Sequence, residues 1–352
     1  MIPISQGRIL PEYPECVSQR SRWILLGLGF VALLAALIHI GVGGSFHANP
    51  LQVLQAILQG DTGGTDPLNA VVWKLRLPRV LAAITVGAIL GLAGSAFQAL
   101  FRNPLAEPYI IGVSSGAAAG GTIAFVSGLG SAFFGLGILA SGFAGGLASL
   151  ALVLMLANWK KGVDVVRLLI SGVVIGAMLS SLTSLVLLSA GEDTNQVLRW
   201  LLGSLTPMSF TKVTVLAIAL AAGFPLVYRS SRYLNALSYD HNLGTRLGIN
   251  VHRLSLSILL VTTAMVACTV GSVGIIGFLG LIAPHVARLL VGVDLRVSAP
   301  AATLIGAIFL TLADLAAQRL LPGGELPVGA VTAILGAPIL LILLSKQNHR
   351  LA

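Results

Sequence analysis

Long apolar segments recur along the chain, separated by short polar stretches that hold most of its charged residues. Each segment is close to the ~20 residues that an α-helix needs to cross the hydrocarbon core of a bilayer. The fold class predicted is an all-α integral membrane protein. The pattern predicts ten transmembrane helices, over residues 23–42, 79–100, 109–128, 132–157, 165–190, 211–228, 254–272, 274–291, 297–317 and 327–345.

The eighth predicted span differs from the others, because Gly274, Gly277, Gly280 and Pro284 interrupt it. These residues favour a short or broken helix. Breaks in a membrane helix are tolerated where the backbone is buried in protein or lines a cavity. We therefore expect irregular backbone here, in one of those two settings.

The composition agrees with a membrane domain. Of the 352 residues, 56% are hydrophobic and only 9% are charged, whereas about a quarter of a soluble domain is charged. A charged side chain at the bilayer centre costs roughly 2.5–3.5 kcal/mol, so a spanning chain must exclude such residues. The 41 glycines fit the close helix packing that small residues allow in membranes. One membrane domain accounts for the length.

The net charge of +9 does not indicate a nucleic-acid partner, because Lys and Arg lie in short clusters between apolar runs. With a cytoplasmic N-terminus, fifteen of them fall on the inner side and six on the outer side. This positive-inside bias predicts that both termini are cytoplasmic. The predicted parts are a cytoplasmic N-terminal segment (1–22), a ten-helix transmembrane domain (23–345) that includes an inner loop (229–253), and a cytoplasmic C-terminal tail (346–352).

Three connections are longer than simple turns. Residues 43–78 are predicted as an outer loop with a polar, Gly-rich centre, and residues 229–253 as an inner loop. The outer segment 191–207 mixes charged residues with Trp200, Leu201 and Leu202. That mixture predicts a short amphipathic helix at the outer interface.

Two catalytic motifs are absent from the sequence: the phosphate-binding GxxxxGK[ST] and the zinc-binding HExxH. Cys16 and Cys268 are far apart, and the isolated His39 and His285 are more typical of packing or loop histidines than of metal ligands. Asp314 is the one acid clearly within a span, where we expect a structural hydrogen bond. A secondary transporter or channel is one candidate class of protein, but a secondary transporter would need several ion-coupling acids near the middle of the membrane.

A basic cluster, Lys74 to Arg79, lies on the predicted outer side against the charge bias. Arg76 and Arg79 are three positions apart and would share one face of a helix. Such a pair favours binding of a carboxylate-bearing partner, since arginine pairs bidentately with carboxylates. Anchoring to lipid headgroups is the alternative. The spacing does not separate the two.

The inner loop carries a regular set of apolar residues among polar ones. Leu237, Leu243, Leu247 and Ile249 are spaced around the stretch 243–248 (LGTRLG). A solvated connector needs no such stripe, so the pattern indicates a surface that a cytoplasmic partner covers.

At these residues the chain resembles the permease subunits of ABC importers of type II, which carry iron-siderophores, haem and cobalamin. The resemblance runs from about the first span to the last. Its most specific stretches are 76–79 (RLPR), 98–108 (QALFRNPLAEP), 112–117 (GVSSGA), 277–288 (GFLGLIAPHVAR), 325–329 (ELPVG) and 336–338 (GAP).

The resemblance implies a non-catalytic subunit of ten spans, without a cofactor or metal of its own, in the bacterial cytoplasmic (inner) membrane. Two permease copies, most simply a homodimer, would form the pathway at their interface. Two separate ATP-binding subunits would drive transport by alternating access. A periplasmic or lipid-anchored binding protein would deliver a ferric siderophore, haem or cobalamin.

The resemblance also implies roles for particular residues. Docking of the binding protein is assigned to Arg76, Arg79 and Arg319, although the usual third arginine aligns with Gln318, one position earlier. Coupling to the ATPase is assigned to Asp240, Leu243, Gly244, Leu247 and Gly248, and the inner gate to Asn103, Leu105, Val165 and Val166.

Overall fold

The computed structural model describes residues 18–43, 49–63, 66–158, 165–239, 250–321 and 324–348, and regular structure in these ranges is helical. The helices are α1 (Gln19–Val42), α2 (Pro50–Gln59), α3 (Pro67–Val71), α4 (Leu77–Leu100), α5 (Val113–Val126), α6 (Ala132–Gly135), α7 (Gly137–Leu156), α8 (Val165–Leu188), α9 (Thr194–Leu201), α10 (Phe210–Tyr239), α11 (Val251–Val273), α12 (Leu279–Val291), α13 (Leu295–Arg319) and α14 (Val328–Asn348).

Within the described ranges, seven helical segments are long and apolar enough to cross a membrane, and three shorter apolar helices accompany them. Each of the ten predicted spans overlaps one of these segments. Helix α10 continues to Tyr239, well beyond the predicted end at residue 228. The prediction of an inner loop over 229–253 is therefore wrong for residues 229–239 and 251–253, which are helical. The all-helical class is confirmed.

Helix α4 lies at the centre of the bundle, and small residues let its neighbours approach closely. Gly87 of α4 faces Gly306 of α13, and Gly94 faces Gly280 of α12. A Cβ added at Gly87 or Gly94 would overlap the backbone carbonyl of the facing residue. These glycines therefore allow backbone-to-backbone packing, which is a main source of helix association in membranes.

The predicted break in the eighth span is confirmed, but it is shorter than expected. Residues 274–278 are not helical, whereas Gly280 and Pro284 lie inside α12. Pro284 has no N–H to donate to the carbonyl of Gly280, four residues earlier. The side chain of Gln98 replaces it, because its Nε2 donates to that carbonyl at 3.2 Å. A neighbouring helix thus satisfies the group that proline leaves unpaired.

The prediction of a loop over 43–78 is wrong for much of its length. The segment contains α2 and α3, and a π-helical turn (Val72–Arg76) joins α3 to α4. Asn49 and Asp66 cap these two helices, and each cap is followed by proline at the first helical position. An Asx cap followed by proline is a recognised helix start, so the signal was present in the sequence.

The long helices run back and forth between two ends of the bundle. We call the end where α4 begins and α13 ends the arginine end, after Arg76, Arg79 and Arg319. We call the other end, where α4 ends and α8 begins, the distal end. The predicted amphipathic helix of segment 191–207 is confirmed as α9, which lies at the arginine end.

Candidate functional site: a buried charge network at the arginine end

A bidentate ion pair joins α4 to α13 at the arginine end. Arg79, in the first turn of α4, donates from Nε to Asp314 Oδ2 at 2.8 Å and from Nη2 to Oδ1 at 2.9 Å. Asp314 is fully buried. Its Oδ2 also lies 2.7 Å from Nε2 of His39 and accepts from Nε2 of Gln318 at 2.8 Å. The structural hydrogen bond predicted for Asp314 is confirmed, with several partners.

A second carboxylate contacts the other side of the same guanidinium. Nη1 of Arg79 donates to both carboxylate oxygens of Glu325, at 3.0 and 2.9 Å. The hydroxyl of Thr206 donates to Glu325 Oε2 at 3.2 Å. The side chain of Glu325 is 44% exposed, against 12% for Arg79 and 0% for Asp314. Arg79 therefore lies between one buried and one accessible carboxylate.

Arg76 is held apart from Arg79. It is buried, and its Nη1 donates to the carbonyl oxygen of Ile40 near the end of α1 at 2.7 Å. The π-helical turn before α4 sets this position. Arg319, at the end of α13, is exposed, and its Nη2 donates to the carbonyl of Val42. All three arginines assigned to docking thus contact groups of the subunit itself, and Arg319 is the exposed member of the set. The docking role stays a prediction.

Two cavities open beside this network. A cavity of about 400 Å³ is lined by Arg76, Arg79, His39, Gln318 and Glu325 among others. A larger cavity of about 810 Å³ lies beside α9. Its polar lining includes Gln196, Arg199, Thr206, Lys212 and Glu325. Glu325 therefore borders both cavities.

Sequence reasoning missed the joining of His39, Asp314 and Glu325 to the arginines, because they are distant in the chain. One signal pointed to it, because four polar residues lie at the predicted outer ends of their spans: His39, Arg79, Asp314 and Glu325. Only the packing of α1, α4 and α13 shows that those ends meet.

The four residues assigned to the inner gate lie at the distal end. Asn103 and Leu105 follow the end of α4, where Asn103 Oδ1 accepts from the backbone N–H of Leu105 at 2.9 Å. Val165 and Val166 begin α8, and Val166 is exposed while Val165 packs against the core. The gate itself stays a prediction.

The residues assigned to ATPase coupling, Asp240, Leu243, Gly244, Leu247 and Gly248, lie outside the described residues. Helix α10 ends at Tyr239, immediately before them in the chain. There Asn235 donates from Nδ2 to Asp294 Oδ1 at 2.7 Å and accepts from the N–H of Leu295 at 3.0 Å. This junction between α10 and α13 was not predicted from the sequence.

Asp294 is the N-cap of α13, and it also pairs with Arg296 at 2.7 Å. Burial by itself would raise the pKa of the Asp294 carboxyl. The hydrogen bonds from Arg296 and Asn235 outweigh burial and hold that pKa below its usual range. Asp294 is therefore a charged link between α10 and α13.

A bundle of apolar helices whose charges are concentrated at its two ends defines a multi-pass membrane protein. The model of the FecCD transport family matches residues 30–346. The chain belongs to this family, and the resemblance to ABC-importer permeases is confirmed.

Relatives and a solved structure agree with this assignment. The vitamin B12 import system permease of Salmonella paratyphi A is 38% identical over 328 residues, which cover 93% of this chain and 95% of the relative. The molybdate import system permease of Haemophilus influenzae is 33% identical over 333 residues, with coverage of 93% and 96%. An inward-facing metal-chelate type ABC transporter superposes with a TM-score of 0.81 at 32% identity, over 92% of this chain and 99% of that chain.

Proposed function

We propose that the chain is the membrane-spanning subunit of an ATP-driven importer for a metal chelate. The observation that carries the proposal is the similarity of almost the whole fold to a metal-chelate type ABC transporter. ATP hydrolysis takes place on two separate subunits, because this sequence has no phosphate-binding loop of its own. The subunit is non-catalytic, and it needs no resident cofactor.

The proposed topology has ten spans, made of the seven long apolar helical segments and the three shorter ones. Both termini are cytoplasmic, so the arginine end faces outward and the distal end inward. The bias of Lys and Arg along the sequence supports this orientation. The membrane is the bacterial cytoplasmic membrane.

A second copy of the chain completes the pathway. Val166, Val173 and Leu185 of α8 are each more than 60% exposed, and Ile334 of α14 is 72% exposed. These apolar faces suit lipid or a second subunit, and the proposal assigns part of them to a homodimer. Alternating access at that interface moves the cargo past the gate residues Asn103, Leu105, Val165 and Val166.

Partners bind at opposite ends. A binding protein docks at the arginine end, where Arg319 is the exposed member of the assigned set. The ATP-binding subunits bind at the distal end, on the segment 229–253, whose first residues, 229–239, continue α10. The hydrogen bonds of Asn235 and Asp294 support this assignment, because they tie this end of α10 to α13.

The cargo class is a ferric siderophore, haem or cobalamin. The B12 permease and the metal-chelate transporter favour a chelate, whereas the molybdate permease has an oxyanion as its named cargo. The alternative of a self-sufficient ion-coupled transporter is disfavoured by Asp314. That acid is buried and already accepts hydrogen bonds from Arg79 and Gln318, so it is not available for an ion.

Transport in proteoliposomes tests the proposal. The permease is reconstituted with its ATP-binding subunits and its binding protein, and uptake of radiolabelled ferric siderophore, haem, cobalamin and molybdate is measured. We expect uptake of one chelate that requires ATP and the binding protein. Uptake by the purified chain alone, driven by an ion gradient, would contradict the proposal.

A further inference from the structure

Arg79 has one carboxylate partner that can leave and one that cannot. The pair with Asp314 is fully buried on the acid's side, and breaking such a pair leaves an uncompensated charge. The pair with Glu325 lies at the surface, where an exposed ion pair contributes little to stability. Loss of Glu325 from Arg79 would leave the guanidinium neutralised by Asp314. The geometry therefore separates a permanent partner from an exchangeable one.

The position that Glu325 occupies is open to an incoming group. Its carboxylate contacts Nη1 of Arg79 at the wall of the 400 Å³ cavity. A carboxylate from outside would make the same two hydrogen bonds. Arg76 lines the same cavity and adds positive charge. A carboxylate side chain is the group that this cavity fits best.

The side chain of Glu325 also has a second site at which it could pair with cations. It lines the 810 Å³ cavity together with Lys212 and Arg199, two cations on other elements. A displaced Glu325 side chain would find opposite charge there. The exchange is then between two paired states and leaves no carboxylate without a cation.

We propose that Glu325 is an exchangeable cap on Arg79, which a carboxylate of the docking partner displaces toward Lys212 and Arg199. The inference rests on the proposed function, which supplies the docking binding protein. It adds a residue of this chain that competes with the partner for the same guanidinium. Docking is therefore weaker than the bare arginine would allow.

Glu325 is connected to the helix bundle through the start of α14. Only Leu326 and Pro327 separate Glu325 from α14. Gly329, in the first turn of α14, packs so closely on the carbonyls of Leu202 and Ile275 that an added Cβ would overlap both. Movement of Glu325 thus acts on the start of α14, on the end of α9 and on the break before α12.

The test measures binding of the purified binding protein to the complete transporter in nanodiscs, at low and high salt. We expect Glu325→Gln to raise the affinity about tenfold at low salt, equivalent to about 1.4 kcal/mol. The gain should shrink at high salt, because salt screens exposed charges. Glu325→Asp, which keeps the charge but shortens the reach, should raise the affinity in the same direction.

Two controls isolate the cap. Glu192→Gln removes the same charge from an exposed site at the arginine end and should leave the affinity unchanged. In an Arg79→Gln background, Glu325→Gln should not change the affinity, because the guanidinium for which Glu325 and the partner compete is gone. Thermal unfolding of each variant checks that the complex is intact.

The outcomes separate the two proposals. If Glu325→Gln leaves the affinity unchanged or lowers it, the exchange is overturned, whatever the effect of Arg79→Gln. ATP-dependent chelate uptake by the wild-type transporter would then still support the proposed function. Absence of that uptake would contradict the proposed function independently of Glu325.

Discussion

Arg79 and Asp314 form a bidentate ion pair, with Nε–Oδ2 and Nη2–Oδ1 distances of 2.8 and 2.9 Å, at the junction of α4 and α13. An intramembrane acid is expected to be paired or functional. Here the pairing also recruits His39 from α1 and Gln318 from the next turn of α13. The arginine end is therefore held by one buried carboxylate on which three helices converge.

Asp314→Asn should destabilise the permease strongly. It would leave the guanidinium of Arg79 without its buried counter-charge, and breaking a buried pair costs about 3–5 kcal/mol. Thermal unfolding of the purified transporter measures the loss. The double variant Arg79→Met/Asp314→Leu should be less harmful than Asp314→Asn alone, because it removes both charges. Equal damage by the two would mean that the pair itself is not what stabilises the junction.

Gln98→Leu should destabilise α12 at its proline. The carbonyl of Gly280 would lose the hydrogen bond from Gln98 Nε2, and an unsatisfied buried acceptor costs about 1–3 kcal/mol. Pro284→Ala restores a backbone N–H four residues after Gly280. In the Pro284→Ala background, Gln98→Leu should lower the stability of the protein much less than it does in the wild type. A double-mutant cycle measured by thermal unfolding tests this. Additive losses would show that Gln98 acts elsewhere.

Asp294→Ala should destabilise the distal end by about 0.5–2 kcal/mol, the usual cost of losing an N-cap. The folded pKa of Asp294 lies below the unfolded one, so its contribution is complete above a pH of about 3.9 and is lost as the pH falls through the folded pKa. The stability gap between wild type and variant should therefore narrow in acid. A gap that stays constant down to a pH of about 2 would contradict this assignment.

Arg319→Gln should slow association of the binding protein at low salt, with a loss of roughly 0.5–1 kcal/mol, because rim charges act mainly on the association rate. Surface-based kinetics on nanodiscs measures the rate. Arg22→Gln makes the same charge change at the distal end and is the matched control. Basal ATPase activity should be equal in both variants. Equal association rates for both would remove Arg319 from the docking surface.

Much of the fold was predictable from local pattern. The apolar segments anticipated α7, α8 and α11 within a few residues, because a bilayer demands a run of helix of set length and excludes charge from it. The Gly-rich stretch 274–278 anticipated the break. Helix α2 was missed although its Asn–Pro cap was visible, because its 10 residues are far fewer than a membrane span requires.

The sequence by itself determined the class, the approximate spans and the family, since these depend on hydropathy and on ordered motifs. It also identified Arg76 and Arg79 as charges in an unexpected place. Only the tertiary structure decided what they contact: Ile40 for Arg76, and Asp314 with Glu325 for Arg79. The physical reason is that a buried charge must find its partner in space, and residues more than 200 positions apart meet only when the helices pack.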